Sequence, residues 1–405
     1  MFYFGIDWSE NHHNLCILNE AGAYISQIVF EHSPAGFAQV ELERRRLDAP
    51  ASDCPVGIET SYNIVVDFLL DHHYPVHIVP PNATEGYRNR QHGSGAYDDE
   101  SDAALLASIM RTDRASHPLV RPNLPLTQQL LAQVRLIEIL RRSIQRQSNQ
   151  LRAVLLRTYP SGTGMFSDLT AQITLEFLLA YPTAQEACTL SAEAFETFCR
   201  QHGYTRTDLI PLRYTQLLEA APEADPAVIQ AYRSQVRVLA QVLLPQVRGR
   251  TQAIVQLGQL FEQHPDAPIF ASLPGAGLLL APALLAKFGD HRDRFPAAGG
   301  VQALAGTCPV TQRSGKTKKL VKFRHGCDKE FRRITQQFAR ASVPKSGWAA
   351  AYWKEIRPHC DSDSHAYRIL ANRWVAVIWK LWQTHRPYDE AYHVQQRARR
   401  RKPRL

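Results

Sequence analysis

Five residues of this chain combine a type and a spacing suited to phosphodiester chemistry. Asp7 closes the run Gly5-Ile6-Asp7, and Glu59 closes Gly57-Ile58-Glu59. Asp99 and Asp102 stand three apart, which on a helix sets both carboxylates on one face. Grouped carboxylates repel unless a cation neutralises them, and hard oxygen donors suit Mg2+ or Mn2+. A pair of such ions can activate an attacking oxygen and stabilise a leaving one. Asp98 rivals Asp99, although only Asp99 keeps the three-residue step to Asp102; either aspartate also suits a helix cap. The fifth residue is Ser314, within Arg313-Ser314-Gly315-Lys316-Thr317-Lys318-Lys319. A Ser-Gly turn is commonplace, but a hydroxyl among cations is placed to attack phosphorus while its neighbours stabilise phosphate charge. Lys322 and Arg324 extend the same basic segment and join Arg313, Lys316, Lys318 and Lys319 as candidate nucleic-acid contacts.

Distant acids need a fold that gathers them. Phe2 to Asp7, Leu15 to Asn19 and Ala23 to Phe30 are β-prone runs parted by polar turns, which predicts an antiparallel meander. Ser33-Pro34 opens a helix to about Leu47, Val56 to Glu59 is a fourth strand, Tyr62 to Leu70 a helix and Pro75 to Val79 a fifth strand. A flexible segment from Gly86 to Ala96 is expected before a helix from about Asp98 to Arg111. Three antiparallel strands, a helix, then alternating strand and helix is the order of an α/β RNase H-like domain, here over 1–117. Its first and fourth strands are neighbours, so the four acids are expected to converge.

Beyond a linker spaced by Pro118, Pro122 and Pro125, Thr127 to Tyr159 contains no Pro or Gly. Ile137, Leu140, Ile144 and Leu151 there fit a heptad-like seam that calls for a partner helix. A second long helix is expected from about Asp225 to Gln263, broken or kinked near Pro245 and Gly249. Residues 118–265 thus form a long helical, coiled-coil middle region. The remainder, 266–394, reads as mainly α, followed by a basic tail over 395–405. Leu273-Pro274-Gly275-Ala276-Gly277 before an apolar helix has the look of a phosphate-binding helix-hairpin-helix turn, and equally of a plain tight turn. Trp374, Trp379 and Trp382 on the last long helix read as core.

The 405 residues are 44% hydrophobic and 21% charged, which excludes fibrous and wholly disordered classes. Lys and Arg outnumber Asp and Glu by 47 to 38, and the +9 excess favours a polyanionic partner. No apolar run is long enough for a membrane span, and Met1 to Asp7 has no secretion-signal character. The scattered cysteines, Cys308 and Cys327 included, argue against a disulfide framework or zinc site and for a reducing cytoplasm. His12-His13 and His72-His73 read as surface residues of polar turns.

The ordered set Gly5-Ile6-Asp7, Gly57-Ile58-Glu59-Thr60, Val79-Pro80-Pro81, Asp99-Glu100-Ser101-Asp102-Ala103, Leu273-Pro274-Gly275-Ala276-Gly277, Phe288-Gly289-Asp290 and Ser314-Gly315-Lys316 resembles the DEDD-type transposases of insertion sequences, the bridge-RNA-guided serine recombinases. The resemblance implies a metal-binding tetrad of Asp7, Glu59, Asp99 and Asp102, and a Ser314 that joins covalently to DNA. It implies a C-terminal transposase domain, a structured bridge RNA as guide, and donor and target double-stranded DNA as substrates. It also implies a homodimer that pairs into a tetramer, with action on DNA in a prokaryotic cytoplasm. The seam of Thr127 to Tyr159 is expected to serve the dimer, unless the Asp225 to Gln263 helix folds back and buries it. A plain RNase H-like endonuclease of junction-resolvase type, or a nucleic-acid-binding scaffold, are the competing classes; only the recombinase needs Ser314.

Overall fold

Short β-branched and aromatic runs build a five-stranded mixed sheet in the order β3-β2-β1-β4-β5. In the computed structural model β1 (Tyr3–Trp8), β2 (His12–Leu18) and β3 (Tyr24–Glu31) form the antiparallel meander. β4 (Val56–Ile58) then pairs parallel to β1, and β5 (Val76–Ile78) parallel to β4. The residues described are 1–60, 63–91, 99–166, 168–218, 225–312 and 320–401. They fall into two units, Met1–Pro122 and Asn123–Leu405.

Alternation sorts the side chains of the sheet. Phe4, Ile6, Val56 and Ile58 enter a core closed by Phe37 and Val40 of α1 (Pro34–Arg46) and by Val65, Val66 and Leu69 of α2 (Ile64–Asp71). Ser33 and Asn63 cap these helices, so α2 starts two residues after the expected Tyr62. α3 (Pro81–Gln91) follows β5, and α4 (Asp99–Asp113) packs on the second face of the sheet. This arrangement is consistent with an RNase H-like domain. The flexible segment expected from Gly86 is helix as far as Gln91, because apolar contacts of Ala83 and Tyr87 override a poorly helical composition; 92–98 lie outside the described residues. His13 is likewise not a surface residue. It is fully buried, hydrogen-bonded to His32 at 2.9 Å, and burial lowers its pKa to about 4.

Among its described residues the second unit is helical apart from one short antiparallel pair of strands. α5 (Pro125–Thr158) is followed by α6 (Gln172–Ala180), α7 (Ala184–Ala187), α8 (Ala192–Gln201), α9 (Ile210–Leu217) and the long α10 (Pro226–Glu262). α10 runs antiparallel to α5: Val134 and Ile137 share a core with Ala253 and Leu257, and Leu151 and Leu155 share another with Val236 and Ala240. The seam of α5 is therefore buried by the same chain, and it supplies no reason for a second copy to bind there. α10 is also unbroken at Pro245 and Gly249. Pro245 is exposed, and the carbonyl it leaves without a donor belongs to exposed Gln241, where water can satisfy it.

α11 (Ala267–Ala271), α12 (Gly277–Phe288), α13 (Ala298–Leu304), the antiparallel pair β6 (Val310–Gln312) and β7 (Leu320–Lys322), α14 (Lys329–Ser342), α15 (Gly347–Ile356), α16 (Asp363–Thr384) and α17 (Glu390–Arg401) complete the unit. Phe288, Phe331, Phe338, Trp374 and Trp382 are its buried aromatic centre. Trp379 is half-buried and donates to the Phe295 carbonyl at 2.9 Å.

Two acids, half-buried Asp290 and buried Glu138, pin α5. Its N-cap position is Leu124, which has no capping side chain; Asp290 supplies the acceptor from afar, taking Leu124 N at 2.6 Å and Thr127 Oγ1 at 2.8 Å. Glu138, 6% exposed, takes Arg141, Arg142 and Arg333 at 2.7–2.8 Å and so ties α5 to α14. Burial alone would raise its pKa, but the Arg141 and Arg142 hydrogen bonds and the Arg333 charge hold it at about 2 instead of 4.5. A folded pKa below the unfolded one gives stability that is complete above pH 4.5 and lost as pH falls toward about 2. Glu138→Gln is expected to cost about 1–3 kcal/mol at pH 7. Urea unfolding should show the gap between variant and wild type closing below pH 4; a gap that stays constant with pH would refute this account.

Candidate active site

β1 and β4 carry the same short pattern, glycine, isoleucine, acid, and the sheet aligns the two copies. Gly5 pairs with Gly57 and Ile6 with Ile58, so Asp7 and Glu59 follow side by side at the strand ends. The isoleucines point into the α1–α2 core. By alternation the glycines and acids share the opposite face, the one covered by α4. Both glycines are sterically required. A Cβ on Gly5 would lie 2.0 Å from the Ala103 carbonyl oxygen, and one on Gly57 would lie 2.8 Å from Met110 Cγ.

The direction of α4 decides which of its ends meets the acids. Arg111 packs against Gly22 of the β2–β3 turn, and Arg114 reaches Met1 Sδ at 3.3 Å. The C-terminal end of α4 thus lies at the start of β1, and its N-terminal end lies where β1 and β4 finish. Asp102 is one turn before Leu106, and Asp99, the first residue of α4, one turn before Ala103. Asp7, Glu59 and Asp102 are each half-buried at this edge. Glu59 accepts from Thr84 Oγ1 at 2.6 Å, and Asp102 accepts from Arg88 Nη2 at 2.5 Å. The side chain of Asp99 and the whole of Asp98 lie outside the described residues. Carboxylate oxygens are a donor set that fits a hard divalent cation. Among the described residues, however, no three His, Cys, Asp or Glu stand at metal-holding distance from one another.

The basic segment is reached only in part. Ser314, Arg313, Lys316, Lys318 and Lys319 lie outside the described residues, between the paired strands β6 and β7. Lys322 is exposed. Arg324 accepts from Arg332 through its carbonyl at 3.0 Å. Between them Phe323 lies under two guanidinium groups, Arg332 at 4.5 Å and Arg368 at 4.8 Å. Nothing in sequence could have paired Arg368 with this segment. Thr84 and Arg88 were within reach, since they stand four apart, but only on the premise that their segment is a helix. The Leu273 to Gly277 turn has a packing explanation. Gly275 has φ +80°, and a Cβ there would lie 2.3 Å from the Ala341 carbonyl oxygen of α14.

Comparison with known proteins gives the class first. Residues 4–160 match the family model of the DEDD transposase of IS110, and residues 267–354 match the transposase model of the IS116/IS110/IS902 family. The chain is a transposase, an enzyme of DNA strand transfer. More narrowly, it belongs to the IS110/IS116/IS902 family. It is similar over 396 residues, at 29% identity, to a mini-circle transposase assigned to IS117 in Streptomyces coelicolor, covering 96% of this chain and 95% of the relative. It is also similar to a 42 kDa protein of insertion element IS900 from Mycobacterium paratuberculosis, 23% identical over 75% of this chain and 77% of the relative. A 43.6 kDa protein of IS110 from Streptomyces coelicolor is 23% identical, over 71% of this chain and 70% of the relative. No described helix is long and apolar enough to cross a membrane.

The glycines give the site its first test. Gly57→Ala meets the movable Met110 side chain at 2.8 Å and the Leu106 carbonyl oxygen at 3.0 Å, which a small shift relieves, whereas Gly5→Ala meets backbone at 2.0 and 2.3 Å and must displace α4. Gly5→Ala is expected to cost about 3 kcal/mol or more and Gly57→Ala about 1–2 kcal/mol. Thermal melts should rank them in that order, with strand transfer lost first in Gly5→Ala. Equal stability of the two variants would remove the argument for close approach.

Proposed function

We propose that this chain is an RNA-guided recombinase that cuts and rejoins DNA through a phosphoserine at Ser314, with Asp7, Glu59, Asp99 and Asp102 as its metal-holding acids. The supporting observation is the aligned pair of Gly-Ile-acid strands, whose acids end beside the first turn of α4. The Ser314 oxygen forms a bond to phosphorus as the bond from phosphorus to one deoxyribose oxygen breaks, and the serine proton ends on that departing oxygen. Rejoining runs the same exchange in reverse with a new strand's hydroxyl. Mg2+ or Mn2+ held by the four acids would supply positive charge against the developing oxyanions. Arg313, Lys316, Lys318, Lys319, Lys322 and Arg324 hold backbone phosphates near the serine. A structured bridge RNA selects the donor and target duplexes.

Two experiments test this. Asp7→Asn and Asp102→Asn should keep the fold and RNA binding while strand transfer falls at least ~100-fold. Ser314→Ala should also lose the protein–DNA adduct seen on denaturing gels. Cleavage by wild type with no adduct would favour a metal-dependent endonuclease of junction-resolvase type.

Exchange of two duplexes needs several serines in one complex, so the protein acts as a dimer that pairs into a tetramer on nucleic acid. Since α10 covers the α5 seam, other surfaces make that assembly. Mixing Asp7→Asn with Ser314→Ala protein should restore part of the activity if acids and serine of one site come from different subunits. Absence of rescue, with a monomer mass on DNA and RNA, would overturn the assembly.

A further inference from the structure

Two acids of the site are held from a single helix. Thr84 and Arg88 stand four apart on α3 and share a face; one donates to Glu59 and the other to Asp102. α3 does not depend on these polar contacts for its position. Ala83 and Tyr87 pack against the Val79, Leu106 and Met110 cluster, and the Tyr87 hydroxyl donates to Asp113 at the far end of α4. Arg88 is therefore delivered by an anchored helix into a group of like charges, and it can leave without loss of the helix. Arg88 and Asp102 are each 23% exposed, so the pair is open to exchange. Arg88 and Asp102 both line one end of an open cleft of about 160 Å3 between α4 and the β2–β3 turn, with Arg111 at the other end and Ser101 and Ser108 along it.

We propose that Arg88 is a placeholder cation and a positioning residue. It neutralises Asp102 until a divalent ion takes that carboxylate, and it then turns along the cleft toward Arg111, with which it receives a backbone phosphate of the substrate DNA. The charge logic is that of competition: guanidinium and metal ion cannot both saturate one carboxylate, and the doubly charged ion wins. The displaced guanidinium lies in a cleft that carries a second cation and hydroxyl donors, a combination suited to phosphate. The proposal rests on Asp102 being a metal-holding acid.

The test uses the full-length protein and Mn2+ itself as the probe, followed by electron paramagnetic resonance, with DNA binding read separately by fluorescence anisotropy on a short duplex. Arg88→Ala, and Arg88→Gln as the milder variant, should bind Mn2+ about two- to fivefold more tightly than wild type. Arg88→Lys should stay near wild type. DNA affinity of Arg88→Ala should match wild type without metal and fall below it at saturating Mn2+. Unchanged or weaker Mn2+ binding in both uncharged variants, with Asp102→Asn strongly weakened, overturns the placeholder role alone. Wild-type Mn2+ binding by Asp102→Asn overturns the metal reading and this proposal with it.

Discussion

The first unit depends on one steric constraint: the backbone of α4 lies against the backbone of the sheet. That approach is possible only where β1 and β4 lack side chains, at Gly5 and Gly57. Much follows from it. The residue after each glycine goes to the opposite core, and the residue after that returns to the α4 face at the strand end, where both strands place an acid. The helix contributes its own acids from the turn that precedes the contact. Three separated stretches of chain are thus brought to one edge by a packing rule, where Thr84 of α3 donates a hydrogen bond to Glu59 and Arg88 sets a positive charge against Asp102.

The second unit relies on its own acids in a different way. Asp290 completes the start of α5, and Glu138 binds α5 to α14 through three arginines. Part of the Phe288-Gly289-Asp290 pattern thereby acquires a structural reading. Gly289 has φ +74°, and a Cβ there would lie 2.7 Å from Asn123 Oδ1, so the glycine lets the chain turn tightly beside the helix start that Asp290 caps.

Much of this was legible in the sequence where local pattern and tertiary role agree. The strand runs, the Ser33 cap, the Gly-Ile-acid repeats and the apolar period of α5 all express one period or one cap each. The misreadings arose where tertiary contact outweighs local preference. Gly86 and its polar neighbours looked flexible, yet two apolar side chains, Ala83 and Tyr87, hold them as helix. Pro245 looked like a break, yet an exposed proline in a helix flanked by long packed stretches costs one hydrogen bond that water replaces. His13 looked like a turn residue because its doublet with His12 hid the alternation that buries it. The holders of the acids, Thr84 and Arg88, follow the same logic: their spacing of four acquires meaning only once their segment is a helix.

The α5–α10 pair also has a mechanical meaning. α5 spans 34 residues, or about 50 Å at helical rise, and α10 runs beside it through two separate apolar cores. The same two rods form a wall of each core. Strain applied at one end of the pair is thus shared with the far end instead of being absorbed at a hinge. The middle of the chain behaves as a stiff beam, and whatever grips its distal core also sets the orientation of the helices that carry β6 and β7.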